Sequence, residues 1–350
     1  MSLNNTEKRV KLAEQLGVRI SAPRTSAEAA VANGLAVVTL TDSDRLVLEG
    51  LASELRVDAE LDPAQFVEAA HVLSRGLPAS VVTAEYRLEA LGSALLLQNM
   101  PIGPIGPTPS DPLSAGTHRT VLARAAAVVM SGLGHLCAFR GECDGRLIQT
   151  LVPVKQDAAH QMSTGRVDLM GHSEQAFNPT TCPDFVGLAG FRGDPNAATL
   201  LMSARTLIDA LPSRTVRLLH EPVFYTTVDA SFIRLGVADE RRGPMAVLAG
   251  SYEDPVIRFD DDLQTTDSPD HRDALEQLRN VWRHERLAVV LGPGDMLIID
   301  NSRIVHGRTE YYPLYDGGDR WLARLQVLKS LSVSRFARRR TSPVIELNGV

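Results

Sequence analysis

The chain has 350 residues, a formal net charge of −6 and 44% hydrophobic residues. That length and apolar fraction suit one large or two small folded units with a sizeable core. The mildly acidic balance leaves no basic footprint for nucleic acid, three scattered cysteines exclude a disulfide framework, and no apolar run reaches the roughly 18 residues of a membrane span.

Met1–Lys8 has no apolar stretch behind a basic start, so no signal peptide is expected. With no Cys-x-x-Cys pair, a reducing cytoplasm is the expected compartment. Residues 1–130 are expected to be mostly helical and to pack on the outside of the core. Ser43–Val57 carries Leu46, Leu48, Leu51 and Leu55 at three-to-four spacing, with Asp42 or Ser43 as the cap. Asp62 is expected to cap a helix that starts at Pro63, turns Phe66, Ala69, Ala70 and Leu73 inward, and ends at Gly76–Pro78. Glu89–Gln98 leads into the apolar run Leu95–Leu97, which reads as a short strand or a helix end. Met100–Ser114 is rich in proline and glycine, the composition of a loop, here one that can cross the mouth of the core. Thr117–Cys137 predicts an Ala/Val/Leu-rich helix that stops near Gly132 and Gly134.

From Phe139 the pattern changes to short strands. They are expected at Leu147–Val154, Asp184–Phe191, Val223–Thr227, Ala246–Ala249, Pro255–Phe259, Leu287–Leu291, Asp295–Asp300 and Trp321–Leu328. Ser203–Ala210 reads as a short helix followed by Val216–Leu219, and Ser268–Glu285 as a longer one with Leu275, Leu278 and Val281 on one face. Many short strands with turn signals predict a mainly β fold with helical additions, α+β in class, built on a sandwich or barrel. Residues 131–350 would form the core, and the chain a single functional domain. The basic run Arg335–Arg340 reads as a solvated tail or a local ion-pair partner.

Chemistry concentrates around Met170–Phe177. In an extended backbone residues i and i+2 share a face, so His172 and Glu174 can converge on one metal ion. A third ligand must come from elsewhere, and His306 is the best candidate. Two imidazoles and one carboxylate make the facial triad of non-haem Fe(II) oxygenases, which leaves three coordination positions open. Fourteen residues after His306 comes Arg320, whose planar fork of donors matches the far carboxylate of 2-oxoglutarate. The remaining histidines have no such setting; His271 and His284 lie among acids and arginines on the predicted helix and are expected to be solvated.

These pieces resemble the clavaminate synthase-like group of Fe(II)/2-oxoglutarate-dependent oxygenases, which includes asparagine oxygenase and an arginine hydroxylase of viomycin biosynthesis. The matching segments are His172-Ser173-Glu174, Phe191-Arg192-Gly193-Asp194 followed by Ala197-Ala198-Thr199-Leu200, Pro293-Gly294-Asp295 through His306, and Asp316-Gly317 with Asp319-Arg320-Trp321-Leu322. Together they span roughly residues 135 to 330. His-x-Glu, in place of the commoner His-x-Asp, is a mark of this group.

The resemblance implies a double-stranded β-helix (jelly roll) core, Fe(II) held by His172, Glu174 and His306, and 2-oxoglutarate and O2 as co-substrates. Arg320 and Thr199 would hold the distal carboxylate of 2-oxoglutarate. A polar free L-amino acid would be hydroxylated at an unactivated Cβ or Cγ in secondary metabolism, antibiotic biosynthesis included. Arg324 would meet its α-carboxylate, Glu142 its α-amine, and Ser163 and Asp260 other polar groups; the loop Gln156–Gly171 could close as a lid. The arginine hydroxylase has a second acid two positions before its counterpart of Asp260; here that position is Arg258, which argues against arginine. Three alternatives stay open: desaturation or oxidative cyclisation with the same cofactors, a carrier-tethered aminoacyl substrate, and a non-catalytic or other-metal cupin-like binding protein.

Overall fold

The structure, a computed structural model, describes residues 34–346 except 92, 93, 179, 229, 234, 235 and 340, so the readings of Met1–Lys8 and of Arg340 fall outside the described residues. An eight-stranded sheet runs in the order β1 (Leu35–Thr39), β2 (Ala94–Gln98), β14 (Met296–Asp300), β6 (Phe185–Arg192), β16 (Trp321–Leu328), β3 (His135–Phe139) and β17 (Val344–Ile345), with β4 (Gln149–Leu151) also paired to β16. A four-stranded sheet faces it: β13 (Leu287–Val289), β7 (Thr199–Ser203), β15 (Ile304–Arg308) and β5 (Leu169–His172). Two smaller sheets join β12 (Thr265–Thr266), β8 (Phe224–Thr226) and β9 (Arg242–Met245), and β10 (Leu248–Gly250) with β11 (Pro255–Ile257). Among the described residues only β1–β2 and β3–β17 pair in parallel.

Side chains of both large sheets meet in one buried layer. Leu188 of β6 and Leu297 and Ile299 of β14 enter it from one side, Leu201 of β7 and Leu287 and Val289 of β13 from the other. The alternate residues Met296 and Ile298 face helices on the opposite side. Strands covered on both faces need apolar residues at every position, and β14 reads Met-Leu-Ile-Ile for that reason. Helices α1 (Asp42–Glu54), α2 (Pro63–Leu73), α3 (Ala79–Leu91) and α4 (Val121–Leu133) supply that outer cover. α4 is apolar almost all round because it is buried almost all round. Its Met130 reaches within 2.7 Å of where a Cβ on Gly187 would stand, so glycine in β6 is what lets this helix close on the sheet. On the far side α5 (Ala204–Ala210), α6 (Ser213–Leu219) and α7 (Pro269–Glu285) cover the four-stranded sheet, with Leu275, Leu278 and Trp282 packed against Leu200, Met202 and Val305.

The expected elements at Asp62–Leu73, Asp184–Phe191, Ser268–Glu285 and Trp321–Leu328 are present within a residue or two. Others differ. α1 is capped by Thr41: its hydroxyl accepts from Asp44 N–H at 3.1 Å and Asp44 accepts from Thr41 N–H at 3.3 Å, a reciprocal pair that neither Asp42 nor Ser43 offers. The run Thr117–Cys137 is not one helix, because Gly134 ends α4 and His135 begins β3. Val216–Leu219 is the last turn of α6. α3, β1 and β15 have no counterpart in the sequence reading. β1 and β2, both before residue 130, extend the eight-stranded sheet. His271 is not solvated: Ser268 Oγ at 2.7 Å and Glu221 Oε2 at 2.9 Å hold its two ring nitrogens in a buried position. Arg338 is a local tie, donating to Leu331 and Ser342 carbonyls. The three cysteines are free, and among the described residues no helix is long and apolar enough to cross a membrane.

Glu85 of α3 is buried against α4, its carboxylate over Gly132. Burial, then the nearby Glu89 charge, pushes its carboxyl up from 4.5 to about 8. A folded pKa above the unfolded one leaves the protonated form unpenalised at low pH and costs increasing stability as pH rises toward the folded value. Glu85→Gln is therefore expected to change stability by less than about 0.5 kcal/mol at pH 4 and to stabilise by about 3 kcal/mol at pH 7. Urea unfolding at the two pH values reads this directly; the same effect at both would contradict the assignment.

Candidate metal centre and its cavity

β5 and β15 lie side by side, and their ladder sets His172 opposite His306. The two rings stand 4.5 Å apart between centroids. Glu174 reaches the same point by a turn, since β5 ends at His172 and Gln175 takes a φ of 55°. Asn301 holds that turn: it accepts from Glu174 N–H at 2.7 Å and donates to Glu174 C=O at 3.1 Å. The expected convergence of His172 and Glu174 is present, but made by a bend in place of a continued strand. His306 Nε2 lies 3.5 Å from Glu174 Oε1, and one ligand atom from each of the three residues falls within 4.8 Å of the others.

The donor set suits a metal. His172 Nδ1 donates to the Met170 carbonyl at 2.8 Å, which leaves Nε2 bare to act as a ligand. Burial, helped by His172, pushes the His306 imidazolium below its ordinary value and keeps that ring neutral. Burial alone would raise the Glu174 carboxyl, but the Arg324 guanidinium and the two imidazoles outweigh it and hold Glu174 well below the usual carboxylate range. Two imidazoles and one carboxylate match the facial set that Fe(II) takes in non-haem oxygenases.

A cavity opens beside these three groups. Its wall includes Leu151, Leu188, Ser163, Thr199, Arg308, Arg320 and Arg324. The Arg320 guanidinium, 5% exposed, makes no hydrogen bond or ion pair with a protein group among the described residues. Burial draws its pKa down from 12.5 to about 10. Neither neighbouring acid pairs with it in the way a structural ion pair would require: Asp319 accepts from the main chain of Leu314 and Tyr315 at 2.8 and 2.6 Å, and Asp316 from Gly318 at 2.9 Å. Asp194 acts on Arg320 only through its charge, with no ion-pair contact between them. A desolvated cation with no carboxylate in contact is costly in a fold, so this one marks where an anion belongs.

Arg324 is the opposite case. It donates to Glu174 Oε1 at 2.8 Å, to Glu142 Oε2 at 3.0 Å and to Gln149 Oε1 at 2.7 Å. Gln326 adds a bond to Glu142 at 2.9 Å. Burial raises the Glu142 carboxyl and Arg324 offsets this only in part. Glu142 is bonded to the wall residue Arg324 and does not itself line the cavity. Asp260 is bridged to His172 across an isolated β-pair; its Oδ1 accepts from Asp262 and Leu263 N–H at 3.0 and 2.8 Å. Asp261 next to it is buried between Arg279 at 3.2 Å and Arg283 at 3.5 Å, and its N–H donates to Gly171 at 2.9 Å. Of the site residues singled out in the sequence, His172, Glu174, His306, Ser163, Thr199, Arg320 and Arg324 line this cavity, Glu142 meets it through Arg324, and Asp260 is paired to His172 outside its lining. Asn301, Gln149, Gln326, Arg279 and Arg308 were not singled out; only Arg308, two places beyond His306 on a strand, carried a usable positional signal.

A two-histidine, one-carboxylate cluster in a cavity between two facing sheets is the donor set of the non-haem oxygenases. The model of the taurine catabolism dioxygenase TauD, TfdA family matches residues 150–326. An L-lysine 3-hydroxylase of Catenulispora acidiphila is 36% identical over 87% of this chain and 87% of its own length. L-asparagine oxygenase of Streptomyces coelicolor is 36% identical over 86% of this chain and 92% of its own. A solved structure of asparagine oxygenase with Fe(II), 2S,3S-3-hydroxyasparagine and succinate superposes with a TM-score of 0.82 at 32% identity, covering 89% of this chain and 99% of that one. The chain belongs to the TauD/TfdA family of dioxygenases, among the Fe(II)/2-oxoglutarate-dependent enzymes.

Removing Arg324 would leave Glu142 and Glu174 buried without a counter-charge. Arg324→Met is expected to destabilise the metal-free protein by about 3–5 kcal/mol, with part of the loss recovered when Glu142→Gln is added. Urea unfolding in chelator measures both; strict additivity of the two changes would mean the groups do not interact.

Proposed function

We propose that this protein is an Fe(II)- and 2-oxoglutarate-dependent hydroxylase of a free, polar L-amino acid, acting at Cβ or Cγ. The observation that carries the proposal is the unpartnered, buried Arg320 guanidinium in the same cavity as the His172–Glu174–His306 cluster. A metal triad alone fits many reactions; a triad with a lone buried cation beside it fits a chelating diacid. His172, Glu174 and His306 would hold iron and leave one side of it open to the cavity. Bound iron would supply the redox chemistry, coupling oxidative decarboxylation of 2-oxoglutarate to hydroxylation of the substrate carbon. The residues do the positioning. Arg320 forks onto the distal carboxylate of 2-oxoglutarate and Thr199 adds a hydroxyl.

Arg324 on the cavity wall is the group for the substrate α-carboxylate, with Glu142 behind it for the α-amine. Asp260 has one oxygen engaged by main-chain amides, which leaves the other to accept from the substrate side chain. That favours a side chain with N–H donors, a lysine ammonium or an asparagine amide, the substrates in the names of the two relatives above. Ser163 supplies a further polar contact from the loop. We read the two facing sheets as a double-stranded β-helix, with residues 1–130 and 131–350 as one functional unit. The free thiols support a cytoplasmic location.

Incubation with Fe(II), 2-oxoglutarate, ascorbate and each amino acid in turn is expected to yield succinate and a product heavier by one oxygen for a lysine- or asparagine-type substrate. His172→Ala is expected to abolish both. Arg320→Ala should raise KM for 2-oxoglutarate roughly ten- to a hundred-fold, the range set by losing a charge-assisted contact of about 1.5–3 kcal/mol. A silent panel would sink the proposal, and a product lighter by two hydrogens would move it to desaturation.

A further inference from the structure

β15 carries His306 and, two residues on, Arg308, so both side chains project to the same face. Arg308 is buried at 3% exposure, and its bonds are unusual for a buried cation. Among the described residues it has no carboxylate partner. It donates instead to three main-chain carbonyls: Ser163 at 3.3 Å, Val167 at 2.5 Å and Thr309 at 3.3 Å, with its guanidinium 4.9 Å from the centre of the Tyr311 ring.

Ser163 and Val167 belong to a loop that is folded on itself. Val154 N–H donates to Thr164 at 2.9 Å, Arg166 N–H to Ala158 at 3.1 Å, and the Thr164 hydroxyl to Asp157 at 2.6 Å. Gly165 is packed so closely that a Cβ there would stand 2.0 Å from the His160 carbonyl. At its base the loop is tied to the chain just after β15, through Tyr311 N–H to Arg166 at 3.0 Å and Glu310 N–H to Asp168 at 2.7 Å. Its inner end supplies Ser163 to the cavity wall. Arg308 ties that inner end, at Ser163 and Val167, to the strand of the third metal-cluster residue.

We propose that Arg308 is a positioning residue that latches the 155–167 loop shut over the cavity and so keeps co-substrate consumption coupled to substrate oxidation. The coupling half rests on the oxygenase reading; the latch half does not. Three carbonyls in different directions need the rigid fork of a guanidinium, and a lysine ammonium has the charge without the span. With the loop latched, the wall at Ser163 stays in place and bulk water stays out. With it loose, 2-oxoglutarate and O2 can still react beside a poorly held substrate. Succinate, CO2 and water then form without hydroxylated product, the two missing electrons coming from ascorbate, which leaves as dehydroascorbate.

Two readouts test this. In metal-free protein, limited trypsin digestion at Lys155 and Arg166 is expected to accelerate about tenfold in Arg308→Lys and Arg308→Gln while cleavage elsewhere is unchanged, since charge-assisted bonds that hold the loop are lost. Gly165→Ala, which distorts the loop without touching Arg308, should give the same pattern and guards against a misfolded Arg308 variant. In loaded enzyme, the ratio of succinate to hydroxylated product should rise at least about threefold in the same variants, with KM for 2-oxoglutarate within about twofold of wild type in Arg308→Lys, which keeps the charge beside an intact Arg320. Wild-type digestion in Arg308→Lys and Arg308→Gln overturns the latch. Accelerated digestion with an unchanged product ratio overturns the coupling, and a raised KM for 2-oxoglutarate with an intact loop reassigns Arg308 to the co-substrate pocket. If wild type itself makes no succinate, the oxygenase reading fails and the digestion result still judges the latch.

Discussion

The centre depends on one register. His306 stands opposite His172 on β5 and Leu201 on β7, and a slip of a single residue would turn it out of the cavity and put Val305 in its place. Five consecutive pairs with β7 hold β15 on one side. Two glycines hold it from behind. Gly171 precedes His172 and Gly307 follows His306, so a side chain at either would point away from the cavity, and there the buried ring of Trp282 lies against them. A Cβ on Gly171 would come within 2.3 Å of that ring, and one on Gly307 within 2.6 Å of the Leu169 carbonyl and 3.3 Å of the ring. The two strands can lie flat under α7 only because neither has a side chain at these points, and that flat contact turns both imidazoles inward.

Charge inside the cavity is distributed as unevenly as the packing is exact. Arg324 faces two carboxylates, Arg308 only carbonyls, and Arg320 neither. Arg308 also depresses Arg320, adding positive potential at its position. One end of the cavity is therefore neutralised from within and the other is left positive. A diacid that chelates iron at one end and carries a carboxylate at the other complements that asymmetry.

How much of this was legible follows the same division. The triad and Arg320 could be found because their chemistry needs particular residue types at particular spacings, and those types stand at those spacings. Glu174 converged by a route that spacing does not reveal, since Asn301, far along the chain, sets the turn. α3 escaped notice because its inward face, Val81, Ala84, Glu85 and Leu88, is interrupted by an acid. His271 looked solvated because its neighbours in sequence are charged, although its partner Glu221 comes from another helix end. Arg308 and Arg279 act on main-chain carbonyls, which every residue has, so no local pattern could announce their partners.

Arg279 shows how such hidden contacts separate chemistry from recognition. It donates to the carbonyls of Asp261 and Gln264, both at 2.9 Å, and its Nε stands 3.2 Å from the Asp261 carboxylate. The Asp260 turn is thereby fastened to α7, while Asp261 N–H fastens it to Gly171, one residue before His172. The metal cluster sits on paired strands, where a slip of register would turn His306 out of the cavity. The groups proposed to meet the substrate side chain sit on a turn and a loop, the turn clamped by Arg279 and Arg283 and the loop by Arg308. A turn held by its backbone can change its side chains without disturbing the strands beside it. That arrangement accounts physically for relatives that share this fold at about one-third identity yet carry the names of different amino acids. Under the proposed roles of Asp260 and Ser163, side-chain selectivity would belong to the 258–264 turn and the 155–167 loop, not to the sheets.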